Sequence, residues 1–541
     1  MGARPGIAPT RVRRALHSAR RVAALLLGAA LLGQPAWGLR AQTQTLTLGT
    51  KLELNTLDPH FFAAFPTGSS HELLYEKLTF QDKDGAIVPQ LATDWRLVDE
   101  LTWEFRLRPG VKFHDGSAFG AEDVVFTIDR VPNVPNTPNS FAQFTRGIDK
   151  VEVVDALTVR LRTKQPSPSI PLDMSNVFIV SSRAGRGATT ADYNSGKAAI
   201  GTGPYRLVEW VNGERLVVER FDGHWGPRQP WQRVTERVIA KDASRVAALL
   251  SGQVDAIDLV PIADLPRLKS DPRYTVTGGP SAQLQYIALD SARDASPFVT
   301  AKDGSPLPRN PLKDARVRKA LSLGLNRALI AERLMEGSAV PASQLLPATF
   351  PGASRELRPD PFDPARAQAL LREAGFADGF KLTLHATGDR YPNDAGIAQA
   401  IAAGWTRLGL AVAVETMPGS VFFGRASKQE FSAFTAQYGS DDIATGMRAL
   451  LATYDTSRGF GTANRTRYSN PAIDQAFAAA LPIMDPDRRN AALAAVMEAY
   501  MADQGLIPVF YPVFDYAARK GLTVTHRPQR RFNALMVQPA R

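Results

Sequence analysis

In WRLVDELTWEFRLRPGVKFHDG, running from Trp95 to Gly116, Trp103, Phe105 and Leu107 alternate with Thr102, Glu104 and Arg106. A period of two places the sets on opposite faces of a β-strand, so the spacing predicts one buried face and one wet face. Asp99-Glu100 supplies one turn and Pro109-Gly110 the next, because proline presets φ and glycine accepts a positive one. His114-Asp115-Gly116 then ends a third strand, and Ser117 to Asp123 opens a helix with an acidic first turn. The His-Asp pair could serve a metal or acid–base chemistry. No other His or Asp cluster has ligand spacing relative to it, so it reads as a polar strand end.

The same periodicities extend outward. Thr45 to Thr50 alternates as a strand and leads into the loop Asn55 to Phe62, with a helix predicted over His71 to Leu78. A proline-rich loop, Pro132 to Pro138, precedes a strand pair at Lys150 to Asp155 and Leu157 to Arg162. Arg206 to Trp210 and Arg215 to Arg220 flank Asn212-Gly213, a hairpin signal. From about residue 280 the pattern changes. Asp314 caps a helix carrying Val317 and Leu321, another helix runs to Met335-Glu336-Gly337, and more follow at Pro364 to Ala374, Ala395 to Leu408, Pro471 to Leu481 and Pro486 to Met501. Strands Lys381 to His385 and Ala411 to Glu415 lie between them, so this half is α/β.

At 541 residues the chain exceeds one ordinary hydrophobic core, and two or three lobes are expected. Residues 1–41 have the pattern of a secretory signal peptide: arginines, among them Arg13-Arg14, precede the apolar run Val22 to Gly33, and small residues end at Ala41. Removing that segment takes away seven arginines and no acids, lowering the formal charge from +11 to +4. The basic balance is thus largely a targeting feature, and without a Lys/Arg patch interleaved with aromatics no nucleic-acid partner is expected. The absence of cysteine excludes disulfides, thiol catalysis and thiolate metal sites. It also excludes a lipidated cysteine, so the mature protein is expected to be soluble in the periplasm and monomeric.

Catalytic motifs do not emerge. His71-Glu72-Leu73-Leu74-Tyr75 has tyrosine where a zinc-protease helix needs its second histidine. Neither Gly-x-Ser-x-Gly nor Ser-x-x-Lys occurs, and Gly201-Thr-Gly203-Pro204 lacks the lysine of a phosphate loop. A large exported chain without such a constellation reads as a binding protein rather than an enzyme, with no cofactor and no metal.

Ala92 to Gly116 resembles the signature segment of the extracytoplasmic solute-binding proteins of ABC importers, family 5, the peptide and nickel type. The resemblance continues through Ala121 to Thr127, Gly201 to Leu207, Asp314 to Leu321, Phe362 to Phe376 and Tyr468 to Asp474, in order along the mature chain. It implies a two-lobed periplasmic-binding-protein fold of α/β lobes, with an extra β-rich subdomain in lobe I and a ligand cleft between the lobes. The implied bounds are 42–75, 196–278 and 505–541 for lobe I, 76–195 for the inserted subdomain and 279–504 for lobe II. The implied function is capture of a di- or oligopeptide and delivery to a membrane permease; nickel chelates, opines and oligosaccharides stay open within the family, and a secreted hydrolase outside it.

A free peptide is a zwitterion, and enclosing it requires a fixed partner for each terminus. Gln437 to Asp441 resembles the family segment whose aspartate holds the peptide amine, which makes Asp441 the candidate, with Tyr438 and Ser440 beside it. Asp442-Ile443 stands where relatives carry Asp-Pro, so the loop is expected to differ. Arg390, after the strand Lys381 to His385, resembles the arginine that binds the carboxylate in dipeptide binders. His60, Phe61 and Phe62 are candidates for a cleft wall.

Overall fold

A computed structural model describes residue 2 and residues 44–63, 68–529 and 531–540. Apart from residue 2, the expected signal segment lies outside the described residues. The axis of the molecule is the strand Ile507–Arg519, buried except at Val513 and Arg519 and apolar along most of its length, as a strand covered on both faces must be. Its first part pairs antiparallel with Gln283–Leu289, and its second with Tyr274–Pro280 and Ala256–Ile257. Two stretches of chain therefore cross side by side between the halves, at Ser281 and at Pro512, where the Ser281 N–H donates to the Pro512 carbonyl at 2.8 Å.

From that axis the sheet extends one way through Ala433–Gly439 and Lys381–Thr387, with Val299–Thr300 and Ala411–Met417 beside the latter. It extends the other way through Thr45–Thr50, Arg233–Val238, Arg215–Arg220 and Tyr205–Val211. Alternation sends neighbouring residues to opposite faces. In the first half Tyr286 and Phe434 pack with Met447, Phe477 and Tyr500, while Ile287 and Ala433 join Val317, Leu321 and Trp405. In the second, Leu46, Leu48 and Tyr516 build one core, and Ile257 and Ala517 build another with Val246 and Leu249. Each half is a helix-covered sheet, and together they form two α/β lobes.

The opening stretch lies in a separate sheet, ordered Ala92–Asp99, Thr102–Leu107, Thr158–Thr163, Ile148–Asp155, over a core holding Phe105, Val124, Ile128 and Leu161. The expected third strand does not form. Thr102–Leu107 is paired along both edges, so residues after Pro109 make only the isolated Lys112–Ala118 bridge. Nor is the polar face fully wet. Glu104 is buried because it sits in register between Arg96 and Arg160, whose Nε groups each donate to it at 2.9 Å. The helix predicted over His71 to Leu78 spans Gly68–Leu74 instead, since the chain must straighten to enter the strand Thr79–Gln81.

His114 and Asp115 hold turns. His114 Nε2 donates to the Gly203 carbonyl at 3.0 Å, its Nδ1 accepts the Gly201 N–H at 3.3 Å, and burial pushes the imidazole down to about 4. Asp115 Oδ1 accepts from the Ser117 N–H at 3.0 Å and from its hydroxyl at 2.6 Å. The pair ties the small sheet to the Gly201-Thr-Gly203 turn.

Candidate functional site

Between the halves lies a cavity of about 1190 Å³. Phe144, Lys164 and Asp173 line it near the small sheet, Lys77, Phe178, Gln529 and Arg531 form another wall, and the far lobe contributes Tyr438 to Asp442, Arg448 and Arg489. The volume slightly exceeds that of ordinary small-molecule sites, which run to about 1,000 Å³.

Asp441 and Asp442 follow the strand Ala433–Gly439 and precede the helix Ile443–Leu450. Asp442 caps that helix: its Oδ1 accepts the N–H groups of Ala444 at 2.9 Å and Thr445 at 3.0 Å. Ser440 is tied into the same loop, its hydroxyl donating to the Asp442 carbonyl at 3.0 Å. The Asp441 carbonyl accepts from Gln81 Nε2 at 2.7 Å across the lobes. Its carboxylate Oδ1 is shut off from solvent with no hydrogen-bond partner among the described residues. Burial raises the Asp441 carboxyl above the usual range, against the opposing pull of Arg531. An acceptor in this condition is suited to a cationic group brought by a ligand.

The facing wall is basic. Glu72, one turn into the helix Gly68–Leu74, accepts from Lys77 Nζ at 3.2 Å, from Arg527 Nη1 at 2.6 Å and from Arg531 Nη1. Burial alone would raise the Glu72 carboxyl, but the three cations outweigh it and hold it well below its ordinary value. Burial pushes Lys77 down to about 7. Sequence reasoning missed this cluster. The available signal was the basic run that holds Arg527 and Arg531, far along the chain from Glu72.

The structure brings Tyr438, Ser440 and Asp441 to the cavity together. The other candidates do not line it. Arg390 is exposed, with its backbone N–H on Asp394 Oδ2 at 3.2 Å; only its neighbour reaches toward the site, Tyr391 OH donating to the Gln437 carbonyl at 3.5 Å. His60 is fully buried behind the wall, donating from Nε2 to the Phe178 carbonyl at 2.7 Å and accepting from Arg130 at 2.9 Å. Phe61 and Phe62 are half-buried beside it, and the Phe61 carbonyl accepts from the Thr137 hydroxyl at 2.6 Å. Among the described residues no three His, Cys, Asp or Glu side chains gather as a metal site requires, and no helix is long and apolar enough to cross a membrane.

Comparison with known proteins agrees with this architecture. The glutathione-binding protein GsiB of Pectobacterium atrosepticum is 28% identical over 500 residues, spanning 88% of this chain and 89% of its own. The solved structure of MppA, a periplasmic murein tripeptide-binding protein in its unliganded open form, matches with a TM-score of 0.78 at 25% identity, over 92% of this chain and 98% of that one. HbpA2 from Haemophilus parasuis shares the fold, with a TM-score of 0.78 at 22% identity over 92% of this chain and all of its own. The expected two-lobed periplasmic-binding fold is thereby established. The sequence model described as "Bacterial extracellular solute-binding proteins, family 5 Middle" matches residues 86–460, and the chain belongs to that family.

Proposed function

We propose that this family 5 solute-binding protein captures a short peptide in the cleft and passes it, unaltered, to the membrane permease of an ABC importer. The observation that carries the reading is the Asp441 carboxylate, enclosed at the cleft with no partner for Oδ1 among the described residues. A peptide amine supplies the missing charge, and the cleft arginines offer paired donors to the carboxyl end. Relatives point the same way: GsiB is named for glutathione, and the DppA of Helicobacter pylori was solved with the peptide STSA.

Calorimetry with a peptide library, followed by mass spectrometry of the recovered ligands, tests this. Saturable binding without cleavage is expected. Asp441→Asn should weaken it by about 2–5 kcal/mol, the cost of breaking one partner of a buried charge pair. Recovery of shortened peptides would show a hydrolase, and wild-type affinity in the variant would remove Asp441 from the site.

A further inference from the structure

The charges on the cavity wall do not balance. Among the described residues six basic side chains line it against three carboxylates. Among the described residues, the only ion pairs within 4 Å that those cations make are the ones from Lys77 and Arg531 to Glu72. Glu72 itself is shared with Arg527, so that buried cluster carries three cations on one carboxylate. Across the cavity, Arg489 has its Nε sealed from solvent without a hydrogen-bond partner among the described residues, as Asp441 has its Oδ1. Arg531 gives Nη1 to Glu72, while its Nε and Nη2 make no hydrogen bond among the described residues.

On the reading of the cleft as a peptide site, we infer that its solute is an acidic peptide, carrying a carboxylate besides its C-terminal one, and that Arg531, beside Lys77, receives that extra carboxylate while Asp441 takes the amine. A neutral zwitterion would satisfy Asp441 and one cation and leave the surplus enclosed; a lysine-bearing peptide would add to it. Enclosing unpaired charge is what a closing cleft must avoid. Two titrations offset each other. Burial pushes Asp173 up to about 7, which enlarges the surplus, and pushes Lys77 down to about 7, which reduces it until a carboxylate arrives beside it.

The test is calorimetry of the protein with three tripeptides of one frame, Ala-Glu-Ala, Ala-Gln-Ala and Ala-Lys-Ala, at low and moderate salt. Ala-Glu-Ala should bind about tenfold or more tighter than Ala-Gln-Ala, the gain from one added close ion pair, and Ala-Lys-Ala should bind worst. Arg531→Gln should lower the affinity for Ala-Glu-Ala about tenfold more than that for Ala-Gln-Ala, so that the preference for glutamate is lost; an equal fold loss for both peptides would overturn the assignment to Arg531. Since Arg531 also neutralises Glu72, that variant risks misfolding, and the ranking of the three peptides on the unaltered protein decides the charge preference without it. Equal or tighter binding of Ala-Gln-Ala would overturn the inference and leave peptide capture standing. Silence from all three and from a mixed peptide library would overturn both.

Discussion

Asp441 and Asp442 are adjacent and chemically identical, yet they are held differently. Asp442 satisfies two N–H groups at a helix start, while Asp441 keeps a buried carboxylate oxygen that nothing among the described residues answers. Such a group costs stability when the cleft is empty, and the sign of the effect with pH follows. A carboxyl whose folded pKa is raised binds more protons folded than unfolded between its two pKa values, so stability falls as pH rises through that window and stays lowered above it. Ligand-free Asp441→Asn should therefore be more stable than the wild type at pH 7, by about 1–3 kcal/mol, the cost of a buried unsatisfied group. In urea melts the gain should vanish as pH falls toward about 4, near the ordinary aspartate value. Identical melts at pH 7 would mean that Asp441 has a partner after all. At this scale sequence pointed to Tyr438, Ser440 and Asp441, which the structure brings to one cavity, because they lie within four positions of each other. It could not find the basic wall, since Glu72 meets Arg527 and Arg531 at separations of 455 and 459 residues.

Elements were more legible than contacts. Three helices begin where an Asp or Asn precedes proline: Asp363 before Pro364–Glu373, Asn470 before Pro471–Ala480 and Asp485 before Pro486–Ala502. In each the side chain accepts a backbone N–H of the first turn while proline fills a position that has no N–H to satisfy. Asp485→Ala should cost about 1 kcal/mol in urea unfolding, with Asp485→Ser near wild type; an unchanged midpoint would show that packing alone holds that helix. The central strand escaped sequence reading because its pattern lacks a period. Ile507–Arg519 is apolar on both faces, so neither alternation nor a helical repeat marks it. The wet face expected around Glu104 failed for a related reason, as only the cross-strand register reveals that two arginines cover it.

For the whole molecule, the consequential feature is that the lobes are joined along one pair of crossing strands and so can close only where their far surfaces permit. Chain length pointed to two or three lobes and the family resemblance to two, but the crossings at Ser281 and Pro512 depend on a sheet pairing no local pattern encodes. At the cleft's edge the small turn Asp82–Ala86 meets the far lobe. Gly85 has φ +78, a conformation that favours glycine, and a Cβ there would stand 2.5 Å from Phe350 Cδ1. Phe350 is 2% exposed in the far lobe's core with Tyr286 and Phe434, so it has little room to withdraw. Close by, Gln81 holds the Asp441 carbonyl at 2.7 Å, and Gln81 Oε1 accepts from Gln529 at 3.2 Å. Gly85→Val should thus wedge the lobes apart without touching any charge in the cleft. Closure that stabilises the bound state would be impaired, and peptide affinity should fall about tenfold, equivalent to roughly 1.4 kcal/mol of closing free energy. Small-angle scattering of the peptide-saturated variant should keep the larger radius of the ligand-free protein. Asp84→Ala, in the same turn but exposed, should bind and compact like the wild type; if Gly85→Val does so too, the turn is no part of the closing contact.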